Sequence, residues 1–493
     1  MDVVLYYPKF PLGKKKYVVG GGSNRMMPPL DMGWVAKLLE KEGTINFEIV
    51  DANINRYSFD EVKKILLKLQ PKIILTTSEP YEAYRCMSLI EYYLSIHKDC
   101  IEMIKETLPE SQIILVGPHG TSFPDYVFKE NPKLNFIVRG ESEITSFELI
   151  NALFKGENWR EIKGVSRNNN GKIVHNEDRP YLENLDMLSY PAFHFLDIDK
   201  YLTYHQKKDG IRKILVISSR GCPYKCIYCF KAMVGDDFRS RSADNVLEEI
   251  DILYNRYNVD HIGFHDEIFT FEEERVGKIC EKLKERKYQL TWSCETRIEK
   301  ISIPLLEKMA DAGCNEILFG VESLLPDIQK SAQKMVDINK LIEITRHAEN
   351  VGIYCLSALQ FGLPGDSRKT VEENIKKIKK LAIPISLPLI TRVYPTTKLY
   401  EIGKEEKLIK EDSFEACVKA SGLIKTEFKD RDCYYEALNY YHKAMKMVNR
   451  RKKYSLRRLV KKIKRHFLSL ARKPILSKIL PVYLICTIFA HRM

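Results

Sequence analysis

Short apolar runs recur along this chain, separated by stretches whose apolar residues fall at helical spacing, and no other feature limits the fold so sharply. In the first 155 residues the strand candidates are Val3–Tyr7, Phe47–Asp51, Lys72–Thr77, Gln112–Val116 and Asn135–Val138. Helical patterns lie between them at Leu30–Glu42, Phe59–Leu69, Tyr84–Leu108, Pro124–Glu130 and Glu143–Phe154. Strand and helix in strict alternation predict a parallel sheet covered on both faces. Such sheets bind ligands beyond the carboxyl ends of their strands. Those ends read Thr76-Thr77-Ser78, Gly117-Pro118-His119-Gly120 and Arg139-Gly140-Glu141-Ser142-Glu143.

Residues 156–210 break the rhythm and read as a linker, with a turn cluster and a small hairpin around Gly171. The alternation resumes over residues 211–399. Strands are expected at Ile214–Ser218, His261–His265, Leu290–Cys294, Glu316–Phe319, Tyr354–Leu359 and Ile385–Ile390, and helices at Ala243–Tyr257, Glu272–Arg286, Leu305–Ala312, Ile338–Val351 and Thr370–Leu381. Six βα units are too few for a closed eight-fold barrel, so an open, partial one is predicted, with its chemistry at the strands' carboxyl ends. Residues 400–493 read as a helical carboxyl-terminal region.

The net charge of +13 conceals an asymmetry. After Glu436 there is no acidic residue, while Lys and Arg number 16, so the first 436 residues together carry −3. Basic character therefore belongs to one tail. Twelve cysteines in 493 residues do not make a disulfide scaffold. With no basic leader before Val3–Tyr7, a reducing, cytoplasmic setting is expected. No run reaches the ~18–20 clean apolar residues of a spanning helix.

Three cysteines cluster after the first barrel strand, in Ser-Ser-Arg-Gly-Cys222-Pro-Tyr-Lys-Cys226-Ile-Tyr-Cys229-Phe. Thiolates are the usual ligands of iron–sulfur clusters. Three of them on a four-iron cube leave one iron open to a small molecule. A structural zinc site wants four ligands, and no fourth Cys or His is near in sequence, although His261 or His265 could approach in space.

Cys-x3-Cys-x2-Cys in this position resembles the radical S-adenosylmethionine (SAM) superfamily. The resemblance continues along the barrel. His265 to Thr270 follows the second strand; Trp292 to Arg297 resembles the third-strand pattern ending in arginine. Gly320-Val321-Glu322-Ser323 resembles the fourth-strand element, and Phe361 to Asp366 the Gly-x-Pro-Gly turn near adenine. Tyr394-Pro395-Thr396-Thr397 resembles a Pro-Gly-Thr element in which Thr396 replaces the glycine. The resemblance implies Cys222, Cys226 and Cys229 as ligands of a [4Fe-4S] cluster. It also implies contacts to SAM from Tyr228, Asp266, Glu267, Arg297, Glu322, Ser323, Gly362 and Pro364. One electron from the cluster would cleave the sulfonium carbon–sulfur bond, giving a 5′-deoxyadenosyl radical that takes a hydrogen atom from the substrate. A one-electron donor such as flavodoxin or ferredoxin is then a required partner.

Met27-Pro28-Pro29-Leu30, Asp51-Ala52-Asn53, Val116 to His119 and Gly140 to Glu143 resemble the Rossmann-like cobalamin-binding (B12-binding) domain found ahead of many radical SAM barrels. The contacts this implies are Thr76, Ser78, Gly117, His119, Gly140 and Glu141. Asp-x-His-x-x-Gly is absent, so no histidine is assigned to cobalt. The pairing of domains implies methyl transfer to an unactivated carbon, or ring formation of the anaerobic magnesium-protoporphyrin monomethyl ester cyclase type. A tRNA methylthiotransferase would carry a second three-cysteine cluster in its first domain, where this chain has only Cys86 and Cys100. A non-enzymatic cluster-bearing scaffold is the remaining alternative.

In the tail, Arg450 to Lys453, Arg457, Arg458, Lys461, Lys462, Lys464 and Arg465 alternate with Leu456, Leu459, Val460, Ile463 and Phe467, and an apolar stretch follows. A basic amphipathic helix beside an apolar run is the pattern of an interfacial membrane anchor. A packed helix or an RNA contact would use the same residues. The expectation is an enzyme peripheral to an anionic membrane surface, with an apolar or lipid-like substrate.

Overall fold

The computed structural model describes residues 1–10, 26–80, 90–169, 171–381, 383, 385–428, 436 and 439–444. The basic tail, Cys86 and the first residues of the helix expected at Tyr84–Leu108 lie outside them.

Strands β1 (Val3–Tyr7), β2 (Phe47–Asp51), β3 (Ile73–Thr77), β4 (Gln112–Val116) and β5 (Phe136–Val138) form a parallel sheet in the order β2-β1-β3-β4-β5. Both faces are buried because alternate side chains pack on opposite helix layers. Val4, Tyr6, Ile74, Ile113 and Leu115 meet Val62 and Leu66 of helix Phe59–Leu69 and Ile101 and Ile104 of helix Ile90–Thr107. Val3, Leu5, Leu75 and Ile114 meet Val35 and Leu39 of helix Leu30–Glu42 and Leu149 of helix Ser142–Lys155. Helix Phe59–Leu69 starts in a reciprocal cap: Ser58 Oγ accepts from the Glu61 N–H, and the Ser58 N–H donates to Glu61 Oε2 at 2.7 Å.

The hairpin expected around Gly171 is formed by β6 (Val165–Asn169) and β7 (Lys172–His175). It extends the first sheet, because β6 pairs antiparallel with β5 and makes a seven-stranded whole. The same stretch holds a helix, Ile198–Asp209, that the sequence reading did not anticipate. Its buried stripe, Ile198, Tyr201, Leu202 and His205, has helical spacing but is half polar, which hid it. Tyr201 donates to Asp51 Oδ2 at 2.7 Å in the first domain, while Leu202 joins the apolar core of the second. Burial raises the Asp51 carboxyl to about 6 against the opposing hydrogen bonds from Tyr201, Ile54 and Asn53.

After β8 (Lys213–Val216) come two short strands, β9 (Ser219–Arg220) and β10 (Arg239–Ser240), paired antiparallel. The barrel then continues with β11 (His261–Phe264), β12 (Thr291–Thr296), β13 (Cys314–Glu322), β14 (Tyr354–Phe361) and β15 (Ile385–Ile390). All six barrel strands are parallel, in the order β15-β14-β13-β12-β11-β8, so β8 and β15 are edges and the barrel is open. The outer wall is the helix-packed set Ile214, Val216, Ile262, Phe264, Trp292, Cys294, Ile317 and Phe319. Trp34 and Leu30 of the first domain belong to this same apolar cluster. Beyond the barrel come helices Lys398–Glu405 and Phe414–Ala420. Among the described residues no helix is long and apolar enough to cross a membrane.

Candidate active site

The three cysteines lie on the loop that leaves β9 and returns through β10. Gly221 opens it in the left-handed region (φ +84°), and a Cβ there would sit 2.0 Å from the Asp237 carbonyl oxygen, so only glycine fits. Lys231 holds the loop from within. Its Nζ donates to the Cys222 carbonyl at 2.8 Å, to the Tyr224 carbonyl and to Asp236 Oδ1 at 2.6 Å. All nine cysteines among the described residues are free thiols. Burial pushes the Cys229 thiol up to about 12, and the Cys226 and Cys222 thiols beside it add to the rise; burial also raises Cys222. Such thiols give up their protons to a metal that takes the sulfur. Among the described residues no group of three His, Cys, Asp or Glu converges on a single-ion position. Three free thiols on one short loop are the donor set of a four-iron cube, one for each of three irons.

The barrel side of the loop is lined by ion pairs. Arg297 Nη1 lies 3.6 Å from Cys226 Sγ, and the guanidinium stacks over the Tyr224 ring at 3.9 Å. Its Nε binds Glu299 at 3.1 Å. Lys334, which the sequence reading missed, forms a buried pair with Glu322 at 2.8 Å. Burial disfavours its charge, but Glu322 and the nearby Cys226 outweigh this and hold the ammonium above its usual value. Glu322 Oε2 and the Tyr228 hydroxyl are buried with no hydrogen-bond partner among the described residues. Burial drives the Tyr228 phenol well above its ordinary value, and Glu322 and the cysteines add to that. Unpartnered polar atoms around a thiol loop are the expected lining of a site for a polar molecule such as SAM.

The other residues expected at SAM divide. Gly362 stands in the left-handed region, its N–H donating to Asp366 Oδ2 at 2.8 Å; Asp366 also takes the Leu363 N–H, and burial raises its carboxyl to about 7. The Pro364 carbonyl accepts from the Ser331 hydroxyl, and Ser323 ties the start of the next helix, its Oγ accepting the Leu325 N–H at 3.2 Å. Glu267 borders a cleft together with His265, Arg220 and Glu141. Asp266 is placed differently from the expectation. It is fully buried and accepts from the Ser218 N–H (2.8 Å) and from the hydroxyls of Ser218 (2.5 Å) and Ser219 (2.7 Å), so it anchors the β8–β9 corner. Thr396 occupies the left-handed region (φ +66°) after Pro395, the geometry of a glycine position in a type II turn. The turn is therefore kept without the glycine, under strain.

At the first domain's strand ends, His119 Nδ1 meets Ser78 Oγ at 3.1 Å, and the His119 ring packs edge-on against Phe414 at 4.9 Å. A Cβ on Gly117 (φ +109°) would approach Ser78 Oγ to 2.6 Å, so backbone and hydroxyl are as close as they can be. The buried hydroxyls of Thr76, Ser122, Thr145 and Ser146 have no hydrogen-bond partner among the described residues. Thr76 lies at the end of β3 and Ser122 on the short helix after β4, the strand-end setting in which such a sheet takes a ligand, while Thr145 and Ser146 stand on helix Ser142–Lys155. Glu141 is the exception in this group. Its carboxylate accepts from Arg220, Arg239 and the Leu182 N–H, so it faces the barrel's loop. Phe230 and Met233 from the cysteine loop join the first sheet's apolar core, which brings the two strand-end regions together.

A doubly covered parallel sheet, docked on an open barrel whose first loop bears three thiols, defines a cluster-bearing radical enzyme. Residues 216–378 match the family model of the radical SAM superfamily. The chain is 30% identical over 414 residues to an uncharacterized methyltransferase of Pyrococcus horikoshii, covering 83% of this chain and 84% of that one. It is 27% identical over 421 residues to the anaerobic magnesium-protoporphyrin IX monomethyl ester cyclase of Rubrivivax gelatinosus, covering 82% and 71%. In three dimensions it resembles the radical SAM methyltransferase TsrM of Kitasatospora setae, with a TM-score of 0.69 and 16% identity, covering 84% of this chain and 78% of that one. The chain belongs to the radical SAM superfamily and is an enzyme whose cofactors include a [4Fe-4S] cluster and SAM.

Proposed function

We propose that this protein is a cobalamin-dependent radical SAM methyltransferase that places a methyl group on an unactivated carbon of an apolar or lipid-like substrate. The observation that carries the reading is the junction of two cofactor-fitting regions: the hydroxyl-lined strand ends of the first sheet and the cysteine loop that packs against the same domain. TsrM, similar in fold over most of this chain, has been seen with cobalamin and a [4Fe-4S] cluster bound. When bound, the cluster with SAM supplies one-electron cleavage of a carbon–sulfur bond, and cobalamin supplies a methyl carrier. The chain's own residues do the rest. Cys222, Cys226 and Cys229 hold the cluster. Tyr228, Glu322, Lys334 and Arg297 present polar and charged groups to SAM. Thr76, Ser78, Gly117 and His119 form the cradle for cobalamin. The apolar surface of Phe230, Met233 and Tyr394 between the domains keeps water from the junction.

The lipid-like substrate and the membrane surface rest on the sequence pattern of the tail, whose removal after Asn449 is expected to release the chain from anionic vesicles. The decisive experiment is anaerobic reconstitution with iron, sulfide, corrinoid, SAM and reductant, followed by mass analysis of lipid extracts from cells with and without the protein. Production of 5′-deoxyadenosine and S-adenosylhomocysteine, with a label moved from methyl-labelled SAM to a lipid, is the expected result. Absence of bound corrinoid together with no methyl transfer overturns the reading. Ring closure without label transfer instead selects the cyclase reading, which the Rubrivivax similarity favours.

A further inference from the structure

The loop with all three cysteines has a neck, and the neck is an electrostatic anomaly. In the β9–β10 ribbon, Arg220 stands directly opposite Arg239. Like charges in register across a ladder repel. Both side chains are more than nine-tenths buried, where water cannot screen that repulsion.

The neutralising charge comes from the other domain. Glu141 Oε1 accepts from Arg220 Nη1 at 3.0 Å and from Arg239 Nη1 at 3.0 Å. Glu143 Oε1 accepts from Arg220 Nη2 at 2.6 Å. Two carboxylates thus balance two guanidiniums, all four side chains more than nine-tenths buried. Aromatic faces fix the planes of the cations, with Trp34 at 5.2 Å from Arg220 and Tyr181 at 5.2 Å from Arg239. Arg220 is followed at once by Gly221 and Cys222, so its position sets where the first thiol emerges. Behind Glu141, the Gly140 N–H donates to Thr121 Oγ1 at 3.1 Å, on the short helix that also carries His119.

We propose that Glu141 and Glu143 are positioning residues for the cysteine loop, clamping its neck from the amino-terminal domain, and not contacts to a ligand in that domain's strand-end cleft. The inference deepens the functional reading above and rests on it only for what fills the cleft. The clamp explains why Arg220, and not a small residue, precedes the loop's glycine: it is the loop's attachment to a second domain. Removing one partner of a buried ion pair leaves the other charge uncompensated, so the damage falls on the loop.

The test uses the full-length chain, anaerobically reconstituted, as wild type and as E141Q, E143Q and E143D. Iron content, the electron paramagnetic resonance spectrum of the reduced cluster, SAM affinity and hydroxocobalamin affinity are measured on each. The expected result is that E141Q and E143Q keep hydroxocobalamin affinity within about twofold. Their SAM affinity should fall about tenfold and their cluster spectrum should shift, with partial recovery of both in E143D. Circular dichroism and the melting midpoint separate these effects from loss of fold, and E143D keeps the charge if E143Q fails to fold. Unchanged SAM affinity and an unchanged spectrum in both amide variants overturn the proposal, as does a selective loss of hydroxocobalamin. A wild-type chain that binds no corrinoid overturns the cobalamin reading alone, because the clamp is read from SAM and the cluster.

Discussion

The two sheets grow from the same strand–helix alternation, yet they are built on different faces. In the first, β1 and β3 are buried at every position. In the barrel, β8, β11 and β12 alternate between half-exposed and buried residues. One parity, such as Ile214, Ile262 and Trp292, packs on helices. The other turns to the concave side and is largely polar: Lys213, His261, Ser293, Glu295. His261 bridges Thr291 and Ser293 there, at 2.9 and 3.0 Å. A flat sheet covered twice can offer a ligand only the ends of its strands, whereas a curved one also offers an inner wall. The first domain is thus suited to gripping a cofactor at its rim, and the second to enclosing a reaction.

The contrast can be broken first at the metal. Cys226→Ala should abolish the four-iron spectrum and 5′-deoxyadenosine formation while corrinoid binding persists; a variant that keeps the full spectrum removes Cys226 from the ligand set. Next comes packing. Leu5→Ala, at a fully buried position of the flat sheet, should cost about 2–5 kcal/mol. Leu215→Ala, half-exposed on the concave face, should cost roughly half of that or less. Equal costs in denaturant unfolding would show the two faces to be equally closed. Third, the two strained glycines should fail separately. Gly221→Ala lowers iron content, and Gly117→Ala lowers corrinoid affinity about tenfold, the size of local backbone strain. Both defects in either variant would erase the distinction between the regions. The most gradual effect is in pH. Asp366 is raised by burial from 3.8 to about 7, so between those values the folded chain binds more protons than the unfolded one. Stability should therefore fall as pH rises through this window, by at most about 1.4 kcal/mol per unit. Asp366→Asn should flatten that slope in melting curves taken at several pH values, and an unchanged slope would assign it to other groups.

Most of this architecture was legible in the sequence because apolar periodicity and cap residues are local signals. Leu30–Glu42, Phe59–Leu69, Ala243–Tyr257 and Ile385–Ile390 begin and end where the pattern places them. The cysteine loop was legible for the same reason. What escaped was what depends on distant partners. Arg220 and Arg239 are unremarkable charges until the ribbon sets them opposite each other. Glu141 looked like a strand-end ligand because it follows a sheet strand and a glycine, and only the packing of the domains turns it toward Arg220. Lys334 lies in no pattern, and its role comes from Glu322 across the short helix Pro326–Ser331. Asp266 follows a barrel strand as a ligand would, yet two serines of the β8–β9 corner bind its oxygens.

The helix Ile198–Asp209 stitches one sheet to the other, with Tyr201 on Asp51 and Leu202 among the barrel's side chains. Trp34, from the first domain, is buried in the second's core. A cut at residue 155 or 210 would therefore bare apolar surface on both fragments rather than release two independent modules. The chain should melt in one cooperative step, and its halves can be exchanged with those of a relative only if this seam travels with them.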